Sequence, residues 1–161
     1  MSRREMNIRP IGVIHTPFTE PKGTPIQPSS AKGAEGWIEL EAECLPALRD
    51  LDGFDRVWLV YWFHCAGGVR LEVTPFLDDV TRGLFATRAP CRPNPIGLSC
   101  VRLLGIEGNL LRIADVDMLD GTPLLDIKPY APRFDNYPAK RCGWLDHAKN
   151  DNRLADDRFG E

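Results

Sequence analysis

The chain has 161 residues, 43% of them hydrophobic and 27% charged, which fits one globular domain and leaves no room for a second large one. No run approaches the ~18 apolar residues of a membrane span, and the N-terminus lacks the apolar core of a secretory signal, so we expect a cytoplasmic protein with no membrane partner. The net charge of −3 provides no overall field that would attract a polyanion.

The cysteines and histidines give no sign of a disulfide framework or a metal site. The five cysteines are odd in number, widely scattered and without a C-x-x-C pair. The three histidines lack the spacings at which histidines bind metals. We therefore expect reduced cysteines, most of them small core residues, and no metal cofactor.

Turn residues and short apolar runs predict a mainly β fold. Glycine and proline number 14 each, too many for a helical bundle. Alternating or β-branched runs predict about eight strands, at residues 9–16, 36–43, 56–64, 70–74, 83–86, 97–106, 110–117 and 124–130. Such a set of strands closes most naturally as a small closed or nearly closed β-barrel.

Four other segments complete the predicted organisation. Residues 44–51 have leucines at helical spacing and predict one short helix, while residues 107–109 predict a hairpin turn. The Pro-, Gly- and Ser-rich residues 20–33 indicate a lid or ligand loop. The polar residues 148–161 predict an exposed tail, so we place the barrel domain at residues 1–147.

Charge is unevenly distributed along the chain. Residues 82–102 contain four arginines and no acid, whereas residues 35–55 contain seven acids and one arginine. The two stretches predict a molecule with one basic and one acidic face, or simply two solvated strand faces.

Residues 85–99 form a proline-rich segment that carries arginine and asparagine. Its three prolines fix an extended path, so Arg88, Arg92 and Asn94 are held in a set geometry. A guanidinium can fork onto a carboxylate or phosphate, and the amide suits a purine edge or a carboxylate. We predict a binding loop in which Arg92 and Asn94 contact substrate, the alternative being a stiff connection with surface arginines.

A second chemical segment follows at residues 117–130. In a regular strand, Leu124, Asp126, Lys128 and Tyr130 would alternate to one side. If this face points into a barrel mouth, the acid, amine and phenol have shifted pKa values and can transfer protons. If it is exposed, Asp126 and Lys128 are only a local ion pair.

These two segments also carry a family resemblance. R-P-N-P-I-G-L-S at 92–99 and D-G-T-P-L-L-D-I-K-P-Y at 120–130 resemble the TsaA-like family, which includes the TrmO tRNA methyltransferases. I-G-V-I-H-T-P-F at 11–18, P-I-Q at 25–27 and the aromatic run at 51–64 extend the resemblance over nearly the whole chain.

The resemblance implies a small dimeric β-barrel that binds S-adenosylmethionine outside any Rossmann sheet, in agreement with the missing G-x-G-x-x-G. It implies N6-methylation of threonylcarbamoyl-adenosine at position 37, in the anticodon loop of tRNA. Some members carry a C-terminal extension thought to help hold tRNA. By matching motif positions, it implies cofactor contacts from Pro25, Ile26, Gln27, His64, Cys65, Arg88, Leu98, Asp117, Met118, Leu119 and Asp120.

The implied acceptor is a urea-type nitrogen with a delocalised lone pair, so removal of its proton by a base would assist the transfer. We assign Asp126 as that base, Lys128 to orient it or to bind the substrate carboxylate, and Tyr130 to hydrogen-bond or stack. The apolar residues 57–63 exceed what one small barrel readily buries, which favours a homodimer. A non-catalytic module that binds S-adenosylmethionine or RNA, and a methyltransferase for another acceptor, remain as alternatives.

Overall fold

The structure, a computed structural model, describes residues 5–148, 151 and 153–159. The expectations for residues 1–4 and for tail residues 149–150, 152 and 160–161 lie outside these ranges. The strands of the described chain are β1 (Gly12–His15), β2 (Glu35–Leu40), β3 (Arg56–Trp62), β4 (Glu72–Val73), β5 (Arg82–Gly83), β6 (Ile96–Glu107), β7 (Leu110–Ala114) and β8 (Thr122–Pro129).

Six of these strands form a closed antiparallel barrel in the order β1-β2-β7-β6-β3-β8. Pairing of β1 with β8, from Gly12 opposite Leu124 to Ile14 opposite Thr122, closes the wall. The predicted mainly β barrel is therefore confirmed, with six strands in the wall rather than about eight. The short strands β4 and β5 form a separate two-stranded sheet, because each has only two residues to pair.

Alternation along the strands builds the barrel core. In β2, Gly36, Ile38 and Leu40 point inward while Trp37 and Glu39 between them are exposed. The β3 strand alternates in the same way, with Val57, Leu59 and Tyr61 buried. The outward residues of this strand are only half-buried, since a single-layer barrel packs one face of each strand.

The predicted helix at residues 44–51 is not an α-helix. The chain instead forms 3-10 helices at Ala42–Leu48 and Leu51–Gly53, with Pro46 inside the first. Proline has no backbone N–H to donate to an α-helical ladder, which favours short irregular turns here. The α-helix of the described residues, α1, is Pro132–Asp135.

The described part of the tail is docked on the protein, although residues 151, 153, 154 and 157 remain exposed as expected. Leu154 pairs with Pro25, and the Ile26 amide donates to the Arg153 carbonyl at 3.0 Å. Phe159 is buried in a second small core, where its ring meets Phe76 at a centroid distance of 4.9 Å. Composition alone misses this docking, because it depends on backbone bonds to residues 23–26, on the Arg158 side chain and on the burial of one aromatic ring.

The cysteines and helices add two further observations. All five cysteines are unpaired, and Cys91 is buried in the second core, whereas Cys65 and Cys142 are exposed. No helix among residues 5–148, 151 and 153–159 combines the length and apolar character that crossing a membrane requires.

Antiparallel closure decides which connections lie together. The chain segments 16–34, 63–95 and 115–121 each follow a strand that runs toward one end of the barrel and precede a strand that returns from it. These three connections, the longest of which includes β4 and β5, therefore lie at one end. We call it the loop end.

Candidate functional site

The residues implied to contact a cofactor come from all three connections of the loop end. Pro25, Ile26 and Gln27 lie between β1 and β2, and Asp117 to Asp120 lie between β7 and β8. The connection from β3 to β6 supplies His64, Cys65 and Arg88, and Leu98 follows near the start of β6. Segments far apart in sequence are thus brought to one end of one barrel.

A cleft of about 480 Å³ lies on the outer wall of the barrel beside this end. One side is the 3-10 helix Pro28–Ser30 with Gln27, and the other is the outer face of β3 and β6, where Trp58 and Leu98 are found. Arg88 also lines it. Arg56 lines it as well, paired with Asp115. The cleft therefore combines apolar wall residues with a few charged groups, as small-molecule sites commonly do.

Arg88 links two of the three connections across this cleft. Its Nη1 donates to Gln27 Oε1 at 2.6 Å, which joins residues 61 positions apart. Alternation along the proline-rich segment sets the direction of the Arg88 side chain. Thr87 and Ala89 on either side are buried, whereas Arg88 is exposed. The acceptor is a neutral amide oxygen, so this contact does not offset the positive charge of the guanidinium. The charge remains available to an anionic ligand group.

Behind the cleft, a buried hydrogen-bond chain reaches Asp117. Ser99 Oγ donates to Asp117 Oδ1 at 2.6 Å, and Tyr61 OH lies 3.0 Å from Ser99 Oγ. A Cβ at Gly97 would overlap the Tyr61 ring, so glycine is needed for this approach. Protein atoms surround the carboxyl group although part of the residue reaches solvent, and this desolvation raises the pKa of Asp117 to about 7.

The other residues between β7 and β8 contribute mainly backbone groups. Met118 is 3% exposed and its side chain belongs to the barrel core, while its carbonyl accepts from Thr16 Oγ1. The Asp120 carboxylate accepts from the Thr16 amide at 3.1 Å. The Leu119 carbonyl accepts from Thr122 Oγ1, and His64 Nδ1 lies 3.4 Å from the same hydroxyl.

His64 and Cys65 are exposed at the end of β3, and Pro25 is buried under the docked tail. Asn94 is exposed, whereas Arg92 is anchored by donating to the Thr87 and Ala89 carbonyls. The structure thus brings Gln27, Arg88 and Leu98 together at the cleft and places the remaining implied residues around the same end.

The trio assigned to proton transfer lies on the outside of the barrel, not in its mouth. A bulge between Val60 and Tyr61 shifts the pairing with β8, so Leu124 points inward whereas Asp126 and Lys128 point outward. Asp126 Oδ2 accepts from Lys128 Nζ at 2.8 Å, and both side chains are substantially exposed. The expected common face of Leu124 and Asp126 is therefore wrong, and the ion pair matches the alternative.

The trio nevertheless borders the cleft. Lys128 is opposite Trp58 and Asp126 is opposite Val60 on the neighbouring strand, so both occupy the next strand of the same outer surface. Tyr130 meets the Trp58 ring edge-on at a centroid distance of 6.0 Å. Trp58 itself lines the cleft.

Three features of the site were not found by sequence reasoning. These are the Tyr61–Ser99–Asp117 chain, the Trp58 wall and an ion-pair group in which Arg56 and Arg102 share Asp115. Gly97 within an otherwise apolar strand is the one sequence signal for a close approach. Among the described residues, no three His, Cys, Asp or Glu side chains converge to hold a metal ion.

Comparison with known proteins identifies the family. The tRNA-methyltransferase O N-terminal domain matches residues 13–136. The chain belongs to this family. A probable S-adenosyl-L-methionine-binding protein of Pyrococcus abyssi is 54% identical over 91% of this chain and 78% of its own length. The tRNA (adenine(37)-N6)-methyltransferase of Escherichia coli is 38% identical over 86% of this chain.

Solved structures agree with this membership. The crystal structure of TrmO from Pseudomonas aeruginosa matches 87% of this chain at 40% identity with a TM-score of 0.73. The chain spans 62% of that structure and 63% of the Escherichia coli enzyme, so it corresponds to about two thirds of the length of these relatives. The family resemblance expected from the two motifs is confirmed.

The desolvated carboxyl group of Asp117 makes stability depend on pH. Between the ordinary aspartate pKa of 3.8 and about 7, the folded protein keeps a proton on Asp117 that the unfolded chain releases. Stability from this group is therefore fully present below the lower value and is lost as pH rises through the window. In urea titrations, Asp117→Asn should gain stability relative to wild type by about 2–4 kcal/mol from pH 4 to pH 8. A pH-independent difference would contradict the raised pKa.

Proposed function

We propose that the chain is an S-adenosylmethionine-dependent methyltransferase of the cytoplasm that methylates N6 of threonylcarbamoyl-adenosine at position 37 of tRNA. The contact of Arg88 with Gln27 across the cleft carries the proposal, because it joins two motif segments around one apolar wall. Membership of the tRNA-methyltransferase O family supports the reaction class.

The residues at the cleft fit this cofactor. When bound, S-adenosylmethionine supplies an electrophilic methyl group on a sulfonium. Arg88 suits the carboxylate of its amino acid part, Trp58 and Leu98 supply apolar walls, and the backbone of residues 117–120 offers polar groups to the adenine edge. Asp117 is partly ionised near neutral pH because its pKa is about 7, so it offers a negative charge that a cation would favour.

The chain must also prepare a poorly nucleophilic nitrogen. Asp126 is the proposed base, and its carboxylate is held by Lys128 Nζ at 2.8 Å and by the Ile127 amide. The threonyl carboxylate of the substrate competes for Lys128. Once Lys128 binds that carboxylate, Asp126 Oδ2 is released from Lys128 and is free to accept the proton of the nitrogen. Positioning of the acceptor against the methyl group supplies the remaining acceleration.

Binding of tRNA requires access of one base to the cleft and cations that contact phosphates. An anticodon-loop base is unpaired and can be splayed toward the cleft. Phosphate contacts need unpaired cations, and among the arginines of residues 82–102, Arg82 is bound to Asp78 and Arg102 to Asp115. Arg88 and Arg92 are the two that bond neutral acceptors, so we assign tRNA contacts to Arg92 with Asn94 beside it.

We also propose a homodimer, for which only the outward side chains of the strand at 57–63 remain as support. The apolar run at 57–63 was its main support, yet Val57, Leu59 and Tyr61 fill the barrel of one subunit. The outward side chains of this strand, Trp58 among them, are half-buried rather than fully exposed.

Binding of S-adenosylmethionine without transfer is the second candidate. The Pyrococcus abyssi relative, 54% identical, carries only the name of a probable binding protein. The decisive experiment incubates the protein with methyl-labelled S-adenosylmethionine and total tRNA from cells with or without threonylcarbamoyl-adenosine. Label in the modified nucleoside, and only in the first tRNA pool, is the expected result. Cofactor binding with no labelled nucleoside would favour the binding module, and label on another nucleoside a different acceptor.

Removal of the Arg88 guanidinium should weaken cofactor binding. We expect Arg88→Ala to lose about 1.5–3 kcal/mol of affinity for S-adenosylmethionine by calorimetry, the range for a hydrogen bond to a charged group. Arg112→Ala is the matched control, because Arg112 is a surface residue of β7 that pairs with Glu35 away from the cleft. Equal affinity of the two variants would remove Arg88 from the site.

Replacement of the proposed base should separate binding from chemistry. Asp126→Asn keeps size and much of the hydrogen bonding but cannot take the proton. Methyl transfer to the modified tRNA should therefore fall by about 10²–10⁴-fold while cofactor affinity is kept. Lys128→Met should also slow transfer if Lys128 binds the substrate carboxylate. Full activity in both variants would show that the pair is only a surface ion pair.

A further inference from the structure

Phe85 is an aromatic side chain displayed at the loop end. It lies in the 3-10 helix Leu84–Ala86 and is 78% exposed, whereas its neighbour Leu84 is buried in the second core. The Arg92 guanidinium carbon lies 5.6 Å from the Phe85 ring centroid. The ring is thus held against a cation and still presents most of its surface to solvent.

Arg92 is fixed by neutral groups. Its Nη1 donates to the Thr87 carbonyl at 3.0 Å and to the Ala89 carbonyl at 3.3 Å. Within the described part of the chain, no carboxylate comes within the 4 Å of a salt bridge to Arg92, and residues 82–102 contain no acid. The positive charge is therefore rigidly placed and uncompensated, unlike that of Arg82, which Asp78 holds at 2.6 Å.

The pair also lies directly beside the cleft. The two carbonyls that hold Arg92 flank Arg88, whose side chain reaches Gln27 at the cleft. Trp144 braces the same segment by donating from Nε1 to the Ala86 carbonyl at 2.8 Å. Phe85, Arg88 and Arg92 are thus parts of one anchored segment.

We propose that Phe85 and Arg92 form a stacking platform for an unpaired RNA base next to the base that enters the cleft. This inference rests on the proposed function, of which it specifies the RNA contact. An exposed ring accepts the face of any base, and the adjoining guanidinium can bind the phosphate of the same nucleotide. The absence of acids from residues 82–102 and the uncompensated charge of Arg92 favour a polyanion over an apolar protein surface.

The test uses fluorescence polarisation with a labelled anticodon stem-loop and with a fully paired duplex of equal length. Phe85→Leu should raise the Kd for the stem-loop by about 5- to 100-fold, the effect of losing one stacked base, while Phe85→Trp should retain the affinity. The Kd for the duplex should not change. Arg92→Gln should reduce the slope of log K against log salt by about 1.

Phe54→Leu is the matched control. Phe54 is also a surface phenylalanine but follows the 3-10 helix Leu51–Gly53 at the opposite end of the barrel, between Asp52 and Asp55. Its Kd for the stem-loop should equal that of wild type. An equal loss in both Phe variants, or none in Phe85→Leu, would overturn the platform.

Two further measurements keep this inference separate from the proposed function. S-adenosylmethionine affinity, measured by calorimetry, should be the same in Phe85→Leu and wild type. If wild type transfers no methyl group but stem-loop binding still depends on Phe85, the proposed function fails and the platform stands. If light scattering shows that Phe85→Leu dissociates a dimer, Phe85 is a contact between copies and the platform is overturned.

Discussion

Closure of the barrel wall between β1 and β8 is the constraint on which the rest of the structure depends. The first strand must approach β2 closely to reach β8, and a Cβ at Gly12 would overlap the Glu39 carbonyl oxygen. Once the six antiparallel strands close, the three connections of the loop end are attached at the same end of the barrel. A site assembled from residues near 27, 88 and 117 is therefore a consequence of topology, and the strands themselves carry few of its polar groups.

The electrostatics of the loop end differ from those of the molecule as a whole. The net charge is −3, and Arg56, Arg102 and Arg112 are each paired with a carboxylate. Arg88 and Arg92 instead bond amide and carbonyl oxygens. A protein that does not attract polyanions overall can thus present local positive charge, because every guanidinium stays charged and only those paired with a carboxylate are offset by a negative charge. The uncharged acceptors fix the guanidinium groups without cancelling them.

Sequence patterns predicted those features that depend on local periodicity. The alternation in β2 and the turn at Gly108 and Asn109 were found because side-chain direction and turn chemistry are properties of a few consecutive residues. The motifs also located Gln27 and Arg88, which prove to be in contact. By contrast, the alternation of the sequence places Leu124 and Asp126 on one face, but the bulge in the pairing of β3 with β8 puts them on opposite faces.

What escaped sequence reasoning depends on register and on distant contacts. The Tyr61–Ser99–Asp117 chain requires the pairing that sets β3 beside β6, together with the path of the segment after β7. No single segment contains that information. The same holds for the tail, whose docking depends on backbone bonds to residues 23–26. The turns after β2 are instead a local case, because Pro46 in the same segment outweighed the leucine spacing.

The docking of the tail has a consequence for the order of folding. Pairing of Pro25 with Leu154 closes a loop of about 130 residues, an entropic cost that such a short bridge cannot offset alone. The bridge therefore forms only after the barrel has brought its two partners near each other. We therefore expect the segment around Gln27, two residues after Pro25, to become ordered after the barrel and to open at a lower free energy than the barrel. Binding of a ligand that contacts Gln27 consequently includes the free-energy cost of ordering this segment, which lowers the net affinity.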